Sequence, residues 1–400
     1  MDRTLPITID ESTWPGPGVP PLFPKSFKKG RSHYDLNIPS MLLMIGYLTT
    51  PVATTGVTLS EFWAWVRYLA AITPGDTEMK LTHSFAELDA HQKTILSDDF
   101  GMGVSMLWLT DKLDLDLDLI VDGRYFMQQY AASLLVTQCR VAKRGPNKTP
   151  DFVARDTRGR WHVIECKGTQ SGVDYSERQL SGGIAQKQSL LFPKGHVGQR
   201  LVCGLTIGIE GAEGSRLKVI DPVPDEPVEI LSQDLPNATD AATRGVMSKL
   251  LRMAGFEISA EAVASPSGKV LAWGGKETRA AEDKRHQLIK ERDAIARAEL
   301  SDADSHKRLF DERFIGRETR IELPRAIRVG GDFVSHVIVR QGINRDAVSE
   351  LAEQPTIVEL IKNSEFDWPE LIGRNRTTSD GFSASLDIGK LFRAELILRR

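Results

Sequence analysis

The stretch PDFVARDTRGRWHVIECKG, Pro150 to Gly168, decides how this 400-residue chain is read. Two strand-like runs flank the turn-forming DTRGR, which predicts a β-hairpin. With the turn centred near Arg158, antiparallel partners have numbers summing to about 316, which sets Asp151 opposite Glu165. The strand period of two then puts Glu165 and Lys167 on one face, behind Trp161 and Val163, while His162, Ile164 and Cys166 point the other way.

Two carboxylates at one strand end repel each other unless positive charge lies between them. Hard oxygen donors suit Mg²⁺ or Mn²⁺ rather than zinc. Such an ion polarises a phosphodiester and acidifies a bound water, and a neighbouring lysine neutralises charge in the transition state. The expected chemistry is metal-dependent hydrolysis of nucleic-acid phosphodiesters. The alternative for the same residues is a surface hairpin whose charges form pairs worth about 0 to 1 kcal/mol.

Charge distribution agrees with a polyanionic substrate met locally. The chain carries a net charge of -3, yet from Arg140 to Arg200 twelve Lys or Arg stand against five Asp or Glu. That segment, with Lys143, Arg144 and Lys148, is expected to make sequence-independent phosphate contacts. Three cysteines, Cys139, Cys166 and Cys203, without a Cys-x-x-Cys pair, supply neither a disulfide framework nor a zinc site, which points to a reducing cytoplasm. The opening MDRTLPITIDE lacks the order of a signal peptide, and the apolar run Met41–Leu48 is too short to span a bilayer.

Outside the hairpin, proline-rich residues 1–35 read as an extended arm that adds little core. Residues 57–112 read as helical, with Phe62, Trp63, Val66 and Ala70 at helix spacing and Ser84-x-x-Glu87 as a capping box. In LDLDLDLI, Leu113–Ile120, alternation puts Asp114, Asp116 and Asp118 on one strand face; the EF-hand register fails at Leu119 and Tyr125, so the face reads as solvated. A helix is expected from Asp122 to Val136, another from Glu177 to Leu191, and then the strand RLVCGLTIGI. Residues 210–239 read as an irregular connector, followed by a helix at Ala241–Ala254. Thr278–Asp302 reads as a charged, exposed helix with a thin stripe through Leu288 and Ile295. The remainder reads as strands at Arg320–Leu323, Phe333–Val339, Phe382–Ile388 and Arg393–Leu398 with a helix at Ala347–Asn363.

Weaker motifs carry no function. DFG at Asp99–Gly101 lacks the other kinase motifs, SGKV at Ser267–Val270 lacks a phosphate loop's upstream glycine, and the histidines lack zinc-hydrolase spacing. Glu-x-Lys itself recurs at Glu78-x-Lys80 and Glu282-x-Lys284, but only Glu165 ends an apolar strand with Pro-Asp before it.

Pro150-Asp151 followed by Glu165-Cys166-Lys167, within helix, hairpin, helix, strand, resembles the PD-(D/E)XK nuclease superfamily. The resemblance covers roughly Asp122 to Ile209. It implies a restriction endonuclease-like α/β core, a mixed sheet flanked by helices, and metal ligation by Asp151, Glu165 and the main-chain carbonyl of Cys166, with Lys167 as catalytic lysine. A Gln or Lys on the following helix matches Gln179 or Gln186, of which Gln186 is taken as the further catalytic residue. The acid that many members carry on the preceding helix has no match inside Asp122–Val136, and Asp122, Gln128 and Gln129 are weak substitutes.

The expected organisation is a mainly helical region over 1–120, the nuclease core over 121–230 and an α+β C-terminal domain over 231–400. Double-stranded DNA is the expected partner and Mg²⁺ or Mn²⁺ the expected cofactor. A homodimer or a protein partner would bind through the C-terminal region. The rival expectation is a catalytically silent nucleic-acid-binding or assembly subunit.

Overall fold

The computed structural model describes residues 2–52, 68–133, 149–187, 190–222, 228–266, 278–302, 306–329, 331–353, 376–379 and 382–400. Within them the chain is mixed α/β, built around one seven-stranded mixed sheet and one six-stranded antiparallel sheet.

The larger sheet contains β1 (Asp2–Ile9), β2 (Gly30–Asn37), β3 (Leu115–Asp122), β4 (Phe152–Asp156), β5 (Trp161–Thr169), β6 (Val197–Thr206) and β7 (Arg216–Ile220). Their order is β2-β1-β7-β6-β5-β4-β3. Strands β3 to β7 are therefore neighbours in chain order. Within that run β5 and β6 are parallel, and the other pairs are antiparallel. Strand β1 then adds parallel to β7, with β2 antiparallel outside it.

The N-terminal expectation is corrected here. Residues 2–9 are a sheet strand with Leu5, Ile7 and Ile9 buried, because alternate residues of LPITI turn one apolar face inward. The boundary expected at 120/121 falls inside β3.

Helix α1 (Ile38–Thr49) takes up the run Met41–Leu48 and buries it. Helix α2 (Ala90–Leu113) is capped by Asp89, whose Oδ1 accepts from the N–H groups of His91 and Gln92 at 3.0 and 3.1 Å. The Ser84–Glu87 box does not open it, and Phe62, Trp63 and Val66 lie outside the described residues. Helix α3 (Gly123–Ser133) follows β3 directly, with Asp122 Oδ1 accepting from Tyr125 N–H at 2.7 Å.

The aspartates of LDLDLDLI are not a solvated face. Asp114 is the left-handed cap of α2 at φ 53°, Asp118 is buried, and burial pushes Asp116 up to about 6. Helix α4 (Val173–Lys187) begins four residues earlier than expected, and Leu190–Leu191 is a short strand rather than helix. The expected connector over 210–239 instead holds β7 and the start of α5 (Leu235–Ala254).

Helix α2 packs on one face of β5 and β6, where Ile164, Cys166, Leu201, Cys203 and Leu205 join the main core. Helix α4 packs on the opposite face of the same two strands through Leu180 against Val202. Trp161 and Val163 share that opposite side with Phe126 and Tyr130 of α3. The close approach of α2 requires glycine: a Cβ on Gly168 would lie 1.7 Å from the Ser97 carbonyl oxygen, and one on Gly101 would lie 2.8 Å from Gly168 N. The glycine of DFG is thus a packing residue.

In the C-terminal part, α6 (Glu257–Ala264) and α7 (Arg279–Ser301) pack beside α5 and α8 (Arg345–Glu353). Helix α7 leaves Leu288 and Ile295 exposed, as expected of an exposed helix, and docks through Ala296 and Leu300. The second sheet runs β8 (Lys307–Leu309), β9 (Phe314–Val329), β10 (Asp332–Asn344), β13 (Phe392–Arg399), β12 (Ser383–Ile388) and β11 (Arg376–Ser379). Residues 354–363 of the expected last helix, and Ser267–Val270, lie outside the described residues. No helix among the described residues is long and apolar enough to cross a membrane.

Candidate active site

The β4–β5 register pairs Phe152 with Ile164, Val153 with Val163 and Ala154 with His162, as the hairpin spacing requires. The ladder ends one step before Asp151 and Glu165, and side chains close the gap. Asp151 N–H donates to Glu165 Oε2 at 3.1 Å, and Cys166 N–H donates to Asp151 Oδ2 at 2.8 Å. Lys167 Nζ is ion-paired with the other Glu165 oxygen, Oε1.

These groups face α4. A Cβ on Gly183 would lie 3.2 Å from Glu165 Cγ and 3.7 Å from Lys167 Cε, so glycine at 183 leaves the room that the two side chains occupy. Glu165 is fully buried. Burial, then repulsion from Asp151, pushes its carboxyl up to about 8, against the opposing pull of Lys167. Burial likewise pushes Asp151 up to about 6, with Lys167 and the Cys166 N–H pulling the other way. Burial works to lower the Lys167 ammonium's pKa, but Asp151 and Glu165 outweigh it and hold it raised.

Asp98, on α2, is a further acid of this cluster that sequence reading missed. Its field raises Asp151, while Lys167 pulls Asp98 down against a burial effect that raises it. Helix α2 is the helix that precedes the first strand of the chain-ordered run β3 to β7. Helix α3, where the acid was sought, is inserted between β3 and β4. The signal was the pair Asp98-Asp99 ahead of Gly101, obscured because α2 carries glycines on its packing face. Asp99 is turned elsewhere, accepting from the Tyr68 hydroxyl. Asp122 caps α3, and its charge also raises Asp151. Gln128 is exposed.

On α4, Glu177 pairs with Lys218 of β7 at 2.8 Å and Ile184 packs on the cluster of Leu180, Val202 and Ile220, so that edge of the helix looks toward β7. Gln179 and Gln186 fall on the opposite edge, over β5 toward β4, by helical periodicity. The Oε1 of Gln179 is buried and has no hydrogen-bond partner among the described residues. The side chain of Gln186 lies outside the described residues. One turn before Gln179, Tyr175 is exposed with the Arg178 guanidinium 5.3 Å from its ring centroid.

The basic segment is partly consumed internally. Arg160 pairs with Asp156 at 2.6 Å, Arg200 is buried with its Nε 4.0 Å from Asp221, and Lys167 pairs with Glu165. Lys143, Arg144 and Lys148 lie outside the described residues. His162 is buried beside Asp156 and accepts from Gln199 N–H at 3.0 Å, a packing role.

Among the described residues no three His, Cys, Asp or Glu side chains converge as a ready metal cage. The donor set nonetheless suits a hard cation. Two carboxylates are held in a buried site above their ordinary range by burial and repulsion, which a nearby positive charge relieves. The Cys166 carbonyl shares the side of its N–H, toward Asp151, where the ladder has ended. Its thiol lies in the core on the other face, so only the carbonyl is available. No protein-family model, curated protein or solved structure matched this chain in comparison.

Proposed function

We propose that the chain is a metal-dependent nuclease of the PD-(D/E)XK type, hydrolysing phosphodiester bonds, with double-stranded DNA as the favoured substrate. The observation that carries this reading is the half-buried Asp151 tied to the fully buried Glu165, both held above the ordinary carboxylate range, with Lys167 against Glu165 at one strand end. The strand succession β3 to β7, with α2 and α4 on opposite faces of β5 and β6, supports the restriction endonuclease-like core.

Asp151, Glu165 and the Cys166 carbonyl would hold Mg²⁺ or Mn²⁺, with Asp98, whose charge is felt at Asp151, adding to the negative field that draws the ion. Bound there, such an ion supplies a Lewis acid for the phosphate and an acidified water. Lys167 swings from Glu165 to a phosphate oxygen and neutralises charge that grows in the transition state. Gln179, with Gln186 on the same edge, orients the nucleophilic water or the phosphate. Tyr175 and Arg178 meet the strand beside the scissile bond by stacking and phosphate contact. Restriction, anti-phage defence and repair are roles that fit this chemistry.

The second reading, a silent nucleic-acid-binding or assembly subunit, draws on the lack of a three-side-chain metal cage among the described residues. Purified protein incubated with plasmid, linear duplex and single-stranded DNA, with and without Mg²⁺ or Mn²⁺, separates the two. Metal-dependent cleavage supports the nuclease; binding without cleavage in any metal supports the silent subunit.

A further inference from the structure

The second sheet carries a surface unlike the rest of its outer face. At its base that face is laced with ion pairs: Glu318 meets Lys307 at 2.5 Å and Arg340 at 2.6 Å, Arg340 meets Glu395 at 3.1 Å, and Arg393 meets Asp387 at 3.4 Å. Toward the β9–β10 turn the pattern changes. Strand β8 pairs with β9 only over Phe314–Gly316, and β13 pairs with β10 only as far as His336. From Leu323 to Ser335 the hairpin is therefore a two-stranded ribbon running beyond its neighbours.

The inner side of this ribbon is apolar, with Val334 buried and Ile321, Leu323 and Ile327 packed on the core. Its solvent side carries Arg320 and, beyond the irregularity in the register, the directly paired Arg328 and Phe333, whose exposure beside buried Val334 shows that strand alternation breaks between Val334 and Val337. A three-residue excess in β9, between Glu322 and Ile327, pushes out Pro324 and Arg325. Arg399 pairs with His336 at the ribbon's root and is exposed. Arg320, Arg325, Arg328 and Arg399 are all exposed, and none has an ion-pair partner among the described residues. Glu322 is the single acid between residues 320 and 331, and it lies beside His336 at 3.5 Å. Phe333, 65% exposed, is the most exposed large apolar side chain among the described residues.

Uncompensated guanidinium groups along a ribbon that also exposes an aromatic ring, beside Arg328 on the facing strand, complement a phosphate backbone with bases or sugars beside it. We infer that the outer face of the β9–β10 ribbon is a second nucleic-acid contact, distinct from the catalytic strand end, and that it holds duplex DNA by its phosphates. The inference extends the nuclease reading by giving the C-terminal part a share in substrate binding. It is read by binding alone, so it stands or falls separately from cleavage.

The test uses the full chain and a fluorescein-labelled 25-base-pair duplex in EDTA, followed by anisotropy over a salt series. The variant R320Q/R325Q/R328Q is compared with wild type and with R279Q/R285Q/K290Q on α7, which changes net charge equally. The ribbon variant should bind more weakly, with a log K against log salt slope shallower by up to about 2.7, roughly 0.9 for each phosphate no longer neutralised. F333S should weaken binding while leaving the slope unchanged. A slope equal to wild type, an equal loss in the α7 variant, or no duplex binding by wild type overturns the inference. So does a ribbon variant whose only change is a shift in sedimentation, since that marks the face as a self-association surface. Unchanged DNA binding by the ribbon variant with intact cleavage would leave the nuclease reading standing and remove this one.

Discussion

Asp151 and Glu165 are tied across the open end of the β4–β5 hairpin by the Asp151 N–H, which donates to Glu165 Oε2 at 3.1 Å. The bond brings two acids together where burial and mutual repulsion oppose their ionisation. Their ordinary values of 3.8 and 4.5 rise to about 6 and about 8, so the folded protein keeps protons that the unfolded chain releases. The pair's own contribution to stability without metal is thus fullest below about pH 4 and is lost as pH rises through about 6 and about 8. Melting of metal-free protein from pH 5 to 8.5 should show this decline, and D151N or E165Q should flatten it. A wild-type profile that rises over that range would contradict the account.

Metal should reverse the same penalty. Because the ionised pair is the form that holds a divalent ion, Mg²⁺ or Mn²⁺ should raise the melting temperature more at pH 8 than at pH 5.5. Chelation with EDTA should abolish cleavage, and Ca²⁺ should permit DNA binding with little cutting. An equal shift at both pH values would detach the ion from these acids.

Lys167 is the local counter-charge. K167M should lower stability more at pH 8 than at pH 5.5, since it leaves two ionised acids buried together, and should cost cleavage about a hundredfold or more. A uniform loss of stability with cleavage retained would assign the lysine to packing alone.

Asp98 and Asp99 offer a paired control on α2. D98N should reduce cleavage about tenfold or more with little change in melting. D99N, which weakens the acceptor for Tyr68, should lower melting and spare the cleavage rate of the folded protein. The opposite pattern would place the wrong acid at the site.

Much of the site was legible because it is local. The turn DTRGR and the apolar runs beside it set the register, and a register sets every facing pair. What sequence reading missed depends on partners far along the chain. Strand β1 finds β7 more than 200 residues away, and nothing within LPITI announces that neighbour. Alternation in LDLDLDLI fits a wet or a covered face equally, and α5, arriving later in the chain, covers β3. Asp98 escaped notice because α3 interrupts the step from β3 to β4, so that the helix nearest in sequence to the hairpin is not the one that brings Asp98 near Asp151.

The packing that holds α2 over the strand end gives a stability test. G168A would drive a methyl into the Ser97 carbonyl oxygen and should cost about 3 kcal/mol or more. G159A, in the hairpin turn at φ 79° with open space around it, should cost about 1 kcal/mol. Chemical denaturation of the two variants checks the order, and equal losses would mean α2 does not sit against β5.

The most direct measurement is single-turnover cleavage of duplex DNA in Mg²⁺ by D151N, E165Q and K167M, beside E78A and E282A from the other two Glu-x-Lys tripeptides, with melting recorded for all five. The account predicts a loss of about a hundredfold or more in each of the first three, which stay folded at pH 7, and wild-type rates in the last two. Wild-type cleavage by folded D151N, E165Q and K167M would contradict it.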